Sequence, residues 1–341
     1  MNITSTGTLA YKPHFNQNVT IAGSTTINSI INYQNKYLLT VTGASNRLIR
    51  FNNFEDLTDQ TIISLPYTSW ATMVIVGNDV YIPLSPVITT EFHTIVLKVD
   101  VVNMTYTTVI NQTMTDYYPY YVGACTDGTN LYLITGGSFS HFIKYRISDW
   151  TKLYDVTNSF AGRGFNIIYG NDGYLYGTSL QQAAGAFSGK NFVVKLNPAD
   201  MTTVSVVQLP AQNYTTYPGP VNVGTKLFVG FIGNTIDTAH VRVFNTTDLT
   251  LPYTSITFSG VSPAGNIQGF VYNNDGIYAT ANYVPGTNLG STLVKINPSD
   301  NSYQTLLRTG IYGGSVGFNF DGRDIFTSGN NIVYRLRNTF N

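Results

Sequence analysis

Apolar and polar positions along this chain fall into short runs, none of which keeps helical spacing. The runs are rich in Val, Ile, Tyr, Phe and Thr, residues that suit a pleated, half-buried surface, so they predict strands. Residues 164 to 210 show the pattern most plainly. They hold four runs: Phe165-Asn-Ile-Ile-Tyr, Tyr174-Leu-Tyr-Gly-Thr-Ser, Phe192-Val-Val-Lys-Leu and Val204-Ser-Val-Val-Gln-Leu. Asn171-Asp172-Gly173 joins the first two, with Gly supplying a positive φ for a hairpin turn. Asn197-Pro198-Ala199-Asp200 joins the last two as another tight turn. The unit therefore predicts a four-stranded antiparallel meander.

The same unit recurs. Leu38, Tyr81, Tyr132, Tyr176, Phe228, Tyr278 and Phe326 each open a second strand after a turn of Gly, Asn or Asp, about 48 residues apart. Third strands give an independent register at Arg50, Lys98, Arg146, Lys195, Val243, Lys295 and Arg335. The units fall at 27–66, 70–114, 120–160, 164–210, 217–260, 266–310 and 314–341. The last has three strands before the sequence ends. Residues 6–22, with Gln17-Asn-Val-Thr-Ile-Ala, resemble a fourth strand and are expected to complete it. A ring closed in this way leaves only short, protected edges. The expectation is an all-β single domain over 1–341.

On Gly173-Tyr-Leu-Tyr-Gly-Thr-Ser and Phe192-Val-Val-Lys-Leu-Asn-Pro-Ala-Asp-Met-Thr-Thr-Val-Ser-Val-Val, the chain resembles the seven-bladed β-propellers, above all the YVTN-type repeat proteins. Leu293-Val-Lys-Ile-Asn-Pro-Ser-Asp and Val96-Leu-Lys-Val-Asp repeat the second motif. The resemblance covers nearly the whole chain. It implies a seven-bladed β-propeller of four-stranded antiparallel blades, closed by an N-terminal strand on the C-terminal blade. It implies no activity, because propellers host lyases, hydrolases, quinoproteins, lectins and scaffolds.

Charge changes the picture most. The 18 basic and 18 acidic side chains cancel, and charged residues make up 11% of the 341. A nucleic-acid partner needs a basic face, so none is expected. Tyr, Thr, Asn, Ser and Gly take the place of charges, which makes a neutral surface adhesive through hydrogen bonds and stacking. No run approaches the roughly 18 apolar residues of a membrane helix, so no membrane insertion is expected. The start, Met1-Asn-Ile-Thr-Ser-Thr, lacks the basic and apolar regions of a secretory signal. The single Cys125 lies in an inner strand and is read as buried packing.

Candidate chemistry is sparse. Asp127-Gly128, Asp172-Gly173, Asp275-Gly276 and Asp321-Gly322 recur at the first hairpin of their units and read as turns rather than calcium loops. His93, His141 and His240 precede third strands in units that diverge outward, so no metal is expected there. No catalytic triad, phosphate-binding loop or ligand spacing stands out, and no cofactor is expected.

The aromatic connections carry more. In the predicted ring, inter-unit loops share one face with the loops between second and third strands, of which 85–92, 179–191 and 281–291 are the longest. The inter-unit loops supply Tyr67, Trp70, Tyr117, Tyr118, Tyr120, Arg163, Tyr214 and Tyr217. Tyr and Trp offer large contact area, low entropy cost and a polar tip, which suits sugar rings or a docked protein; packing between blades is the competing role for each. Arg163, flanked by two glycines, is the cation among them. Six Asn-X-Thr sequons, at Asn2, Asn18, Asn103, Asn111, Asn213 and Asn245, fall near strand ends where glycans would project. Together these features predict a non-enzymatic, externally displayed binding module. The leading expectation is a virion structural or host-attachment protein on a virion surface, with a cell-surface protein or glycan, or other virion proteins, as partner. A secreted, extracellular cell-surface propeller is the second reading, and a propeller enzyme the third.

Overall fold

In the computed structural model the short β-branched and aromatic runs form strands throughout, and the described residues contain no helix. The structure describes residues 14–34, 36–53, 56–69, 72–84, 93–113, 122–136, 140–158, 163–180, 191–209, 214–215, 219–232, 240–259, 261, 266–273, 275–282, 292–308, 318–320, 324–329 and 332–337. Strands pair antiparallel with their sequence neighbours, so each unit is a meander, such as Arg163–Tyr169, Leu175–Leu180, Asn191–Leu196 and Thr203–Leu209. The arrangement is an all-β propeller with four-stranded antiparallel blades.

The expected count of seven blades is not met. Hydrogen bonding divides the described strands into six sheets, five of four strands and one of nine. The fifth and sixth units share the nine-stranded sheet, and the cause is local. Lys226–Ile232 runs past Gly230, where its pairing with Val241 ends. Its free end then pairs with Tyr214–Thr215 and, through the single couple Ile232–Asn266, with the next unit.

The two ends of the sequence pair with each other, as expected of residues 6–22. His14–Thr20 pairs antiparallel with Ile332–Arg337, from His14–Arg337 to Thr20–Ile332, beside Asp324–Gly329 and Phe318–Phe320. The edge that the last unit would otherwise expose is covered by the chain's other end.

Alternation along each strand turns apolar side chains to both faces of a sheet, and neighbouring units clamp them. One buried cluster joins Ile31, Leu38 and Leu48 of the first unit to Val80, Ile82 and Leu97 of the second. Others join Tyr81 to Leu131 and Leu133, and Tyr132 to Leu175 and Leu196. The core is therefore a series of layers between units. Cys125 sits half-buried in Val122–Thr126, packed on such a layer, and burial followed by the nearby Asp127 pushes its thiol well up.

One anchor is displaced. Tyr132 faces Lys144 across the ladder, as Tyr81 faces Lys98 and Tyr176 faces Lys195; Arg146 faces Asn130. The third-unit anchor is Lys144 rather than Arg146.

Candidate functional site

Antiparallel order sends the first-to-second and third-to-fourth hairpins to one end of every unit. The second-to-third and inter-unit connections go to the other, which is the end expected to bind. Of the residues expected there, Trp70, Tyr117, Tyr118, Tyr120 and Tyr217 lie outside the described residues. Arg163 opens the inner strand Arg163–Tyr169, with its backbone opposite Leu180, and Tyr214 pairs with Ile232. Tyr67 is half-buried and packs against the layer between the first and second units, so for this residue the core role holds. The long loop 85–92 is likewise outside the described residues, as is most of 179–191 and of 281–291.

The histidines at this end make separate, local contacts. His93 Nδ1 lies 2.8 Å from Asn111 Oδ1, and His141 Nδ1 lies 3.0 Å from Asp155 Oδ1. His240 Nδ1 accepts the Phe258 N–H at 3.0 Å, and its ring stacks on Phe258 with centroids 5.4 Å apart. Among the described residues no three His, Cys, Asp or Glu side chains gather as a metal site would require. The His141 contact, with Lys152 at 3.0 Å, holds the Asp155 carboxyl down to about 2.

Of the sequons, Asn103 and Asn111 are exposed and Asn245 is half-buried; Asn18 lies in the closing strand, and Asn2 and Asn213 are outside the described residues. Asn103 donates its amide N–H to Asp100 at 2.7 Å, and Asn245 accepts from the amide and hydroxyl of Thr247, its own sequon threonine.

At the opposite end the Asp-Gly turns build a repeated unit that the sequence did not reveal. Gly173 takes φ +80°. That turn aims Asp172 at Tyr176, whose hydroxyl donates to the carboxylate at 2.6 Å. Tyr132 donates to Asp127 at 2.7 Å, Tyr278 to Asp275 at 2.9 Å and Tyr81 to Asp79 at 3.3 Å. Third-strand lysines join three of these pairs: Lys98 to Asp79 at 2.7 Å, Lys195 to Asp172 at 3.0 Å and Lys295 to Asp275 at 2.7 Å. Burial, then the adjacent carboxylate, pushes the Tyr81 phenol up to about 12 and those of Tyr132 and Tyr176 further. Burial works against the Asp172 carboxylate, but donation from Tyr176 and Lys195 prevails and holds it below its ordinary range. These phenols stay protonated at neutral pH and act as donors.

Several cations reach the next unit. Arg50 donates to the carbonyls of Val101 and Val102, the latter at 2.8 Å. Lys144 donates to Pro198 O at 2.8 Å, Lys195 to Thr246 O at 2.6 Å and Lys226 to Pro298 O at 2.7 Å. Each latches one unit to the third-to-fourth turn, or the carbonyl beside it, of a later one.

Between the first and second units, at this same end, lies a cleft of about 480 Å³ lined by Tyr33, Gln34, Asn78, Asp79, Lys98 and Asp100, and by the strand start Thr105-Tyr106-Thr107. Its volume falls within the range of small-molecule sites. Gln34 donates to Asn78 Oδ1 at 3.1 Å and Tyr33 to the Asn78 carbonyl, which joins the two turns across the cleft. Asp100 Oδ1 accepts the amides of Val102 and Asn103 at 2.9 and 3.0 Å, and the Asn103 contacts hold its carboxyl below the ordinary range. The sequence signal for this site was Lys98 itself, read there only as a register mark.

No protein-family profile matches the chain, and no curated protein matches it. Solved structures match along nearly its whole length. Hydrazine synthase from Kuenenia stuttgartiensis is 13% identical with a TM-score of 0.69, over 95% of this chain and 98% of that one. YCF48 bound to D1 peptide is 10% identical with a TM-score of 0.63, over 94% of each. The extracellular domain of a hybrid two-component system from B. thetaiotaomicron is 15% identical with a TM-score of 0.61, over 98% of this chain and 44% of that one. At such identities the likeness is one of fold. Among the described residues no helix is long and apolar enough to cross a membrane.

Proposed function

We propose that the protein is a non-enzymatic binding module displayed outside the cell, and that its role is virion structure or host attachment. The observation that carries this reading is the polarity between the two ends of the ring. At the turn end, most of the Asp, Lys and Tyr groups, such as Asp172, Tyr176, Lys195 and Lys144, are committed to turns and latches. At the other end, the connections bring Tyr, Trp and amides with very little charge. Groups already spent on holding the fold are poor acids and bases, whereas aromatic rings carried on connecting loops suit a docked surface. A secreted cell-surface propeller that binds a glycan or protein is the second reading. It is supported by the likeness to an extracellular domain and by the peptide held on a similar fold in YCF48.

Binding through neutral hydrogen bonds and stacking is nearly insensitive to salt. The test measures binding to immobilised glycans and host-surface extracts, then repeats it with Trp70→Ala and Tyr118→Ala. A hot-spot ring costs about 1–3 kcal/mol when truncated, a loss of roughly ten- to a hundredfold in affinity. Binding unchanged in both variants, or binding that collapses with added salt, would overturn the assignment to this face.

A further inference from the structure

We propose that the cleft between the first and second units binds a neutral saccharide, gripping a vicinal diol between Asp79 and Lys98. The site is distinct from the aromatic loops of the proposed attachment face and lies at the opposite end of the units. Four observations converge on it.

The first is the state of the ion pair. Lys98 Nζ and Tyr81 both donate to Asp79 Oδ2, at 2.7 and 3.3 Å, and among the described residues Asp79 Oδ1 remains an open acceptor. The ammonium carries three N–H donors, so two remain after the bond to Asp79. A donor and an acceptor of opposite charge, side by side, fit two adjacent hydroxyls: one donates to the carboxylate while its neighbour accepts from the ammonium. The pair is internally neutral, so it places no net charge on the ligand.

The second is that Lys98 is not spent elsewhere. Lys144 and Lys195, at the equivalent ladder position, reach a later unit. The Lys98 side chain keeps 41% of its exposure and, among the described residues, bonds to Asp79 within its own unit. Arg50 supplies the latch to the Val101 and Val102 carbonyls at this junction instead.

The third is the second carboxylate. Asp100 accepts three N–H groups from its own turn, at 2.7–3.0 Å. Its charge is satisfied locally, so the cleft does not present a bare anionic pair that would select a cation. The fourth is the wall. Thr105, Tyr106 and Thr107 line the cleft, exposed, and their hydroxyls have no partner among the described residues. Tyr106 is 37% exposed and Val102 75%, giving an aromatic ring and an apolar shoulder for the C–H face of a sugar. A hydroxyl-rich ligand with one apolar face meets all four conditions.

The experiment titrates maltotriose, lactose and chitotriose into the intact protein, read by ligand-observed NMR and calorimetry. The same titrations are run on Tyr106→Ala, Thr107→Val and Lys98→Met, and on Trp70→Ala as the control for the other face. We expect at least one saccharide to bind at a single site. Its affinity should fall about tenfold or more in Tyr106→Ala and Lys98→Met and severalfold in Thr107→Val, with no change in Trp70→Ala. Tyr106 and Thr107 are exposed, so their variants keep the fold even if Lys98→Met lowers it. Three outcomes overturn the proposal: no binding up to about 10 mM of any probe, binding lost in Trp70→Ala and kept in the cleft variants, or salt-sensitive capture of an oligolysine peptide with no saccharide binding. The Trp70→Ala arm separates failure here from failure of the attachment face.

Discussion

Among the described residues, four third-to-fourth turns carry a side chain where the backbone favours glycine. Met104, Trp150, Met201 and Asn301 take φ of 51°, 57°, 61° and 62° at one position of the third-to-fourth turn. The left-handed conformation costs a non-glycine residue roughly 1–2 kcal/mol. Burial outweighs it: Met104 and Met201 are buried and Trp150 packs on Tyr81 with centroids 5.1 Å apart, and a buried Met contributes about 1.5–3 kcal/mol. In the Met201 turn the backbone is fixed by Met201 N–H donating to Asn197 O at 2.8 Å. We expect Met201→Gly to relieve the backbone yet destabilise by about 1–3 kcal/mol, and Met201→Ala by more, since Ala keeps the strain and loses the burial. Thermal unfolding checks it; Met201→Gly as stable as the parent would show that strain, not packing, dominates. The sequence announced Asn197 to Asp200 as a turn but not its fifth residue, because an apolar side chain there reads as the start of the next strand.

Among elements, the latches decide how one unit holds the next. Lys195 is the most buried of the ion-paired lysines among the described residues, with its side chain 8% exposed. It bonds Asp172 and Thr246 O and lies 4.0 Å from the Tyr174 ring centroid. Lys195→Met should cost about 2–4 kcal/mol, less than for a fully buried pair because Asp172 remains partly solvated. Lys195→Met with Asp172→Asn should cost less than the two single losses added, since each removes the same bond. Strictly additive unfolding free energies would disprove the coupling. The lysines were legible as register marks, yet their reach was not, since it depends on where the next unit's turn lies in space. The Lys144–Arg146 displacement has a similar origin. Side chains two apart share a strand face, so a two-residue slip leaves the alternation intact and only the ladder partner reveals it. Likewise the merging of the fifth and sixth units rests on a backbone couple at Ile232–Asn266, which no side-chain pattern encodes.

For the whole molecule the decisive contact joins the two ends of the sequence. Repeat counting made this legible, because a three-stranded last unit needs a fourth strand and Gln17-Asn-Val-Thr-Ile-Ala resembles one. The observed strand, His14–Thr20, falls inside the expected 6–22. It carries a register irregularity between Phe15 and Gln17 that the pattern did not show. Val19 packs against the layer of Ile21, Ile27 and Ile30, so the strand contributes side-chain burial as well as hydrogen bonds. A chain lacking residues 1–20 leaves Ile332–Arg337 as an open edge. We expect it to lose roughly 3–6 kcal/mol and to associate as concentration rises, since an unpaired edge recruits other strands. A synthetic peptide of residues 12–22 added in trans should restore part of the lost Tm, because it supplies the same ladder without the covalent tie. The rescue will be incomplete, because an intermolecular strand forfeits the entropy that the linked strand saves. A truncated chain that melts with the intact protein, or one indifferent to the peptide, would mean that the ring is held by the layers between units and not by its closing strand.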